Sequence, residues 1–262
     1  MFLKVAVSSL LSRKGSAVMT LMAISVAIFV LLGIEQIRQQ ARDSFASTVS
    51  GVDLIVGAKT GSLNLLLYSV FRIGSPTDNI SWQAYRDIAD SDDVAWAIPI
   101  SLGDSHEGYR VVGTTQAFFE HFSFGKKRSL AFFEGEAFEG TFDAVLGSEV
   151  ASALGYSVGT EIILAHGLAS TSFTKHDNQP FVVVGVLAPT GTPVDQTIHV
   201  RLEGIEAMHA GGSTVQIGAF ATANPPPTDF LEPESITAFM LGLKSRMSTF
   251  NVQRQINQFA GE

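Results

Sequence analysis

Six histidines and a scatter of carboxylates are the residues of this 262-residue chain best equipped for chemistry. His166 and His176 flank a polar loop, "HGLASTSFTKHDNQP", with Asp177 beside the second, and His199 and His209 follow. Imidazole and carboxylate are competent zinc ligands, and a chain without cysteine must build a metal site from them. His166, His176 and Asp177 are therefore the metal candidates, against the plainer reading of solvated loop histidines with no shared target. Glu134, Glu136, Glu139 and Asp143 are carboxylates that acid–base catalysis would use, but they lie in a charged, glycine-broken stretch that reads as a solvated loop. "VLGSEV" has a Gly-Ser step without the second glycine of a nucleophile elbow, so Ser148 reads as a helix cap. No Walker A loop, dinucleotide fingerprint or H-E-x-x-H occurs. The sequence thus offers no catalytic residue and no cofactor-binding residue.

The distribution of charge says more. Residues 1–14 carry Lys4, Arg13 and Lys14 with no acid, and residues 15–34 carry no charge. The remainder holds all 25 acids of a chain whose net charge is −8. "GSAVMTLMAISVAIFVLLGI", residues 15–34, has only Ser16, Thr20 and Ser25 as polar interruptions. Twenty helical residues span about 30 Å, the thickness of a bilayer hydrocarbon core. A cleaved signal peptide has a shorter apolar region and a small-residue cleavage site, whereas Glu35-Gln36-Ile37-Arg38 follows here. A retained transmembrane helix is the expectation. The basic flank leaves the N-terminus in the cytoplasm and exports the acidic body. That acidity also argues against a nucleic-acid partner, which calls for a basic face.

These features divide the chain into a cytoplasmic segment (1–14), a span (15–34), a stalk helix (35–50) and an exported domain (51–255), with 256–262 leading onward. In the exported domain "GVDLIV" reads as a strand, and "NISWQAYRDIAD" as a helix capped by Ser81. "VAWAIPISLGDSHEGYRVVGTT" reads as a hairpin turning around Gly103–Gly108. "FFEHFSFGKKRSLAFFEGEAF" reads as more loop than element. Its aromatics Phe118, Phe119, Phe122, Phe124, Phe132 and Phe133 are assigned mainly to core, the remainder to an apolar contact surface. A helix starting near Ser148 ends at Gly155. "PFVVVGVLAP" and "STVQIGAFATA" are strands, and the chain closes on a helix with Phe250, Ile256 and Phe259. The fold class is α+β.

"GVDLIVGAKTGS" just after a span, "VLGSEVASALGYSVGTEI" and "FVVVGVLAPTGTPVDQTIHV" resemble ABC-transporter permeases of the MacB/LolC/FtsX-like superfamily. The resemblance covers essentially the whole chain. It implies a two-lobed extracytoplasmic domain, with a βαβ lobe at about 51–115 and 200–255 and an inserted β-rich lobe at about 116–199. It implies a bacterial inner-membrane location with the main domain periplasmic or extracellular. It also implies a second permease copy or homologue and a cytoplasmic ATPase subunit that binds the ATP, with no cofactor on this chain. The cargo would be lipoprotein, lipid, peptide or drug. Such permeases have three further spans, so the chain is expected to be a fragment or a truncated product. A stand-alone anchored protein binding metal or lipid is the rival reading.

One segment is greasier than a core face requires. In "SGVDLIVGAKTGSLNLLLYSVF" Gly57 and Gly61 are expected to supply tight turns, and "SLNLLLYSVF" a short helix. Leu65, Leu66, Leu67 and Phe71 are the expected contacts with the membrane or a partner subunit.

Overall fold

The computed structural model describes residues 12–166, 180–213 and 232–259. The chain forms two units divided between Ala46 and Ser47. The first is built on α1 (Lys14–Thr48), an uninterrupted helix of 35 residues. Its stretch Lys14–Gln39 is long and apolar enough to cross a bilayer, and none of it is buried against protein. Phe29, Leu31 and Leu32 are exposed there, an arrangement that water penalises and hydrocarbon does not. Thr20 Oγ1 donates to Ser16 O at 3.0 Å, so the hydroxyl is satisfied within the helix. Beyond the apolar stretch the helix continues as the polar stalk, where Arg38 pairs with Glu35 at 2.7 Å.

The second unit runs β1 (Leu54–Gly57), α2 (Ser62–Ser69), β2 (Ile80–Ser81), α3 (Trp82–Ala89), β3 (Val94–His106) and β4 (Tyr109–Thr114). It continues with α4 (Ala117–His121), β5 (Ser123–Phe124), β6 (Arg128–Ser129), β7 (Phe132–Gly135), β8 (Asp143–Leu146) and α5 (Ser148–Leu154). Then come β9 (Glu161–Ile162), β10 (Ala165–His166), β11 (Phe181–Leu187), β12 (Thr197–Arg201) and α6 (Leu202–Ser213). It ends with β13 (Ser235–Ile236), β14 (Ala238–Leu243) and α7 (Thr249–Phe259). The class is α+β, as the sequence predicts.

The main sheet has the order β1-β14-β3-β4-β12-β8-β11-β7, with β10 added to β3 and β9 to β11. The β4–β12 and β8–β11 pairs are parallel and the others antiparallel. β3 changes partner along its length. Val94–Ile100 pair with β14, and Ser101–His106 with β4, so one strand joins two half-sheets. Alternation then sorts side chains between faces. One face packs Ile98, Ile100 and Leu102 of β3, Val112 of β4 and Met240 of β14 against Tyr68 and the aromatics of α4. The opposite face carries two cores: Val111, Leu146, Ile198 and Val200 under Val150 and Met208, and Phe239 and Leu241 under Tyr85, Ile88 and Val252.

Local signals predict several elements well. Ser81 caps α3, accepting from Ala84 N at 3.3 Å, and α5 ends at Gly155 in the left-handed conformation. Other expectations need correction. The cap of α5 is Gly147; Ser148 is the first helical residue and no side-chain capping bond forms. The turn of the β3–β4 hairpin is only Glu107–Gly108, both with positive φ (48° and 84°), the primed geometry that matches strand twist. The polar residues before it belong to the strand, with Asp104, Ser105 and His106 buried. His106 sits there at no loss of hydrogen bonding, because Nδ1 meets Ile163 O at 2.7 Å and Nε2 the Tyr156 hydroxyl at 3.0 Å. The segment 118–133 is not loop. Phe118, Phe119, Phe122 and Phe124 are buried, Phe132 packs on them, and Phe133 alone of the six is exposed.

Candidate functional site around residues 62–74 and 108–110

β1 hands the chain to α2 across Gly57. A Cβ there would lie 2.3 Å from Leu65 Cδ1 and 2.6 Å from the Tyr68 hydroxyl. Space for a side chain at Gly57 is short because the helix lies directly on the strand, and neither Gly57 nor Gly61 adopts positive φ. Gly57 ends β1 and Gly61 is the extended N-cap of α2 (φ −65°, ψ 139°), with the chain bending between them at Ala58 and Lys59. Tyr68 is fully buried, while Leu65, Leu66 and Phe71 are partly buried against the same core. Leu67 is partly buried as well, and Leu63 presents two-thirds of its surface to solvent.

The chain leaving α2 turns sharply. Arg72 has φ +60° and Gly74 +83°; for a residue with a Cβ the left-handed region costs roughly 1–2 kcal/mol. Arg72 is nevertheless buried, donating from Nη1 to Ser69 O. Arg110, at the start of β4 and also buried, donates from Nη2 to Gly74 O. The hairpin turn and the 71–74 segment are thus clasped together. Between them and the 3-10 turn Pro193–Gln196 lies an open cleft of about 390 Å³ walled by Phe71, Arg72, Ile73, Tyr109, Arg110 and Pro193.

The electrostatics of this corner are one-sided. Burial first, and the neighbouring Arg110 charge second, bring the Arg72 guanidinium down to about 10. Both arginines remain charged at neutral pH. His199, on β12, is wholly buried and stacks on Phe118 with ring centroids 4.8 Å apart. Burial and the Arg72 charge lower it to about 3, only partly offset by the Val145 backbone, so it is neutral. Neither of its ring nitrogens has a well-formed hydrogen bond. Asp195, the buried carboxylate of the 3-10 turn, is consumed locally. It accepts from Thr190 N at 2.9 Å, Thr190 Oγ1 at 2.8 Å and Gly191 N at 2.7 Å.

The remaining candidates separate. His166 enters β10, while His176 and Asp177 lie outside the described residues. Among the described residues no group of three or more His, Asp or Glu is placed to hold a metal ion. Glu134, Glu136 and Glu139 are exposed, and Asp143 accepts from Glu139 N (3.0 Å) and Gly140 N (2.6 Å) as a turn-forming side chain. His209 of α6 approaches buried Asp104 at 3.8 Å. On α7, Val252 is buried and Ile256 packs inward, Phe250 points to solvent, and the side chain of Phe259 lies outside the described residues. "STVQIGAFATA" is likewise outside them beyond Ser213. The arginine pair was missed by sequence reasoning. The one available signal was "FRIG", an arginine between apolar residues.

At the start of the second unit Thr48 is buried, and Ser50 is bound three times to Ser123 of β5, once through the two hydroxyls at 3.3 Å. Ser50 N donates to Ser123 O at 2.8 Å, and Ser123 Oγ donates to Ser50 O at 2.5 Å. β5 follows immediately on α4 and its aromatic cluster.

A family model described as "MacB-like periplasmic core domain" matches residues 17–259. The periplasmic region of MacB from Actinobacillus actinomycetemcomitans is similar in structure, at 9% sequence identity and TM-score 0.49, covering 81% of this chain and 87% of that one. The extracellular domain of the noncanonic ABC-type transporter YknZ from Gram-positive bacteria is similar at 11% identity and TM-score 0.42, covering 70% and 85%. No curated protein matches the chain.

Proposed function

The chain belongs to the MacB-like periplasmic core domain family of ABC transporter permeases, and from that premise we propose that it couples ATP use on a separate cytoplasmic subunit to movement of its extracytoplasmic domain. The observation that carries this is the span of the family match, which begins inside the apolar stretch of α1 and ends in α7. Membrane helix and folded domain thus belong to one inherited unit, a membrane anchor with an extracytoplasmic body. The basic residues Arg13 and Lys14 before the span support a cytoplasmic N-terminus, in a bacterial inner membrane. The ATP would be held by the partner and none by this chain.

In this reading the chain works by mechanics. Displacement of α1 would reach the aromatic core through the Ser50–Ser123 backbone pair and shift the half-sheets that β3 joins. A second permease copy would meet the apolar surface of α2, where Leu65, Leu66, Leu67 and Phe71 form the inner part of the contact and exposed Leu63 its outer part. The cargo, whether lipoprotein, lipid, peptide or drug, would be expelled or extracted outside the bilayer. The test is affinity purification of the tagged full chain from its native membranes. An ABC ATPase should co-purify and hydrolyse ATP faster in its company; recovery of the chain with no ATPase would overturn the reading.

A further inference from the structure

The cleft between the 71–74 segment and the β3–β4 turn has an unbalanced charge. A guanidinium offers five N–H donors in a planar fork, and the protein takes one bond from Arg72 and one from Arg110. Both acceptors are neutral carbonyls. No carboxylate of the described residues lies at ion-pair distance from either arginine, although acids outnumber bases in the chain by 25 to 17. Burying a charge without a partner is costly, and here the buried Arg72 guanidinium lies beside a second one, Arg110, on the wall of an open cleft. Asp195, the buried carboxylate of the neighbouring 3-10 turn, does not balance them, because it is committed to its own loop. Gln196, also on the wall, holds Glu149 at 3.0 Å through its amide. Arg72 moreover keeps its position at the expense of a left-handed backbone. A strained residue, two forks with donors left over and an open cleft of about 390 Å³ meet at one place.

We propose that this cleft binds a phosphate-type oxyanion, held bidentately by Arg72 and Arg110. Phosphate matches paired guanidinium forks better than halide does, because its oxygens accept parallel N–H bonds. Phe71, Ile73, Tyr109 and Pro193 give the same cleft an apolar wall, so a phosphate attached to an acyl or other apolar group fits as well as the free ion. The site is separate from the transporter reading: it is measured on the full chain without any ATPase, so either can fail alone.

The experiment uses the full-length chain in neutral detergent, with inorganic phosphate as probe and chloride at matched ionic strength as control. Phosphate is expected to raise the unfolding temperature saturably, with a Kd on the order of 1 mM or tighter. R110Q and R72Q should each weaken binding about tenfold or more. Each variant also gives up a bond to Ser69 O or Gly74 O, so what is compared is the phosphate-dependent rise in each protein and not its resting unfolding temperature. Should either fail to fold, R110K decides, because it keeps the charge but loses the fork and should bind phosphate less tightly. Vesicles of phosphatidylglycerol in phosphatidylcholine separate the sources. Displacement of phosphate by these and not by pure phosphatidylcholine identifies a lipid headgroup; lack of displacement identifies a free phosphate or soluble phosphate ester. Absence of a phosphate-specific shift in wild type, or a shift undiminished in the variants, overturns the proposal.

Discussion

Segments 62–73 and 117–133 are both rich in large apolar residues, and both feed the core that holds Tyr68 and Phe118. They end differently. α4 enters the middle of the sheet, beneath β3 and against His199 of β12, so its phenylalanines are covered from every side. α2 lies on β1, the edge strand, and an edge can cover only one side of a two-turn helix. Leu63 and Ile73 therefore remain exposed while Tyr68 between them is buried. The difference teaches that apolar density marks a segment as packed against something, whereas position in the sheet decides how much surface is left for another partner.

The largest expected effect lies in the covered segment. Phe118 is fully buried among Phe119, Phe122 and His199, so Phe118→Ala should cost about 3–5 kcal/mol through lost transfer energy and a cavity. Thermal or urea unfolding of the detergent-solubilised chain measures it. A loss below about 1 kcal/mol, the ordinary size of a point-mutant effect, would mean that the aromatic cluster is not the core described. At the edge, Gly57→Val should cost about 1–3 kcal/mol by overpacking, because its Cβ would meet Leu65 and Tyr68. A neutral result would show that α2 is free to lift from β1.

These two sites also show what sequence conveys and what it hides. Strand β11, the cap at Ser81 and the terminator at Gly155 are legible because each depends on residues within a turn or two of itself. The span in α1 is legible because its length and lack of charge are local properties. Gly57 is not, since its reason lies in Leu65 and Tyr68 folding back upon it. The polar end of β3 reads as a turn because its burial depends on partners more than fifty residues away, Ile163 for the ring of His106 among them. The arginine pair is hidden for the same cause: Arg72 and Arg110 are 38 positions apart and meet only through the hairpin.

His199 lies where the two regions meet, stacked on Phe118 and under the charge of Arg72. Its folded value of about 3 is depressed from 6.5. Above 6.5 both states are neutral there and no penalty operates. Below 6.5 the unfolded chain takes up a proton that the folded chain refuses, so stability falls by about 1.4 kcal/mol per pH unit until the folded value is reached. His199→Leu should remove this dependence, giving a flatter stability profile between pH 6.5 and 5 than wild type, read by unfolding at each pH. An unchanged slope would place the acid sensitivity elsewhere.

The smallest expected effect on stability is at Leu63, and it separates core from contact within α2 itself. With two-thirds of its surface exposed, Leu63→Asp should change stability by less than about 0.5 kcal/mol. Leu66, packed on the core, should not tolerate Asp so lightly, because a carboxylate would be driven against Tyr68 and its neighbours. If α2 meets a second permease copy, Leu63→Asp should lower the recovery of differently tagged copies with each other while the unfolding temperature stays put. Equal recovery from Leu63→Asp and wild-type membranes would make the exposed leucine an ordinary surface residue, and α2 would then be core at the edge of a sheet and nothing more.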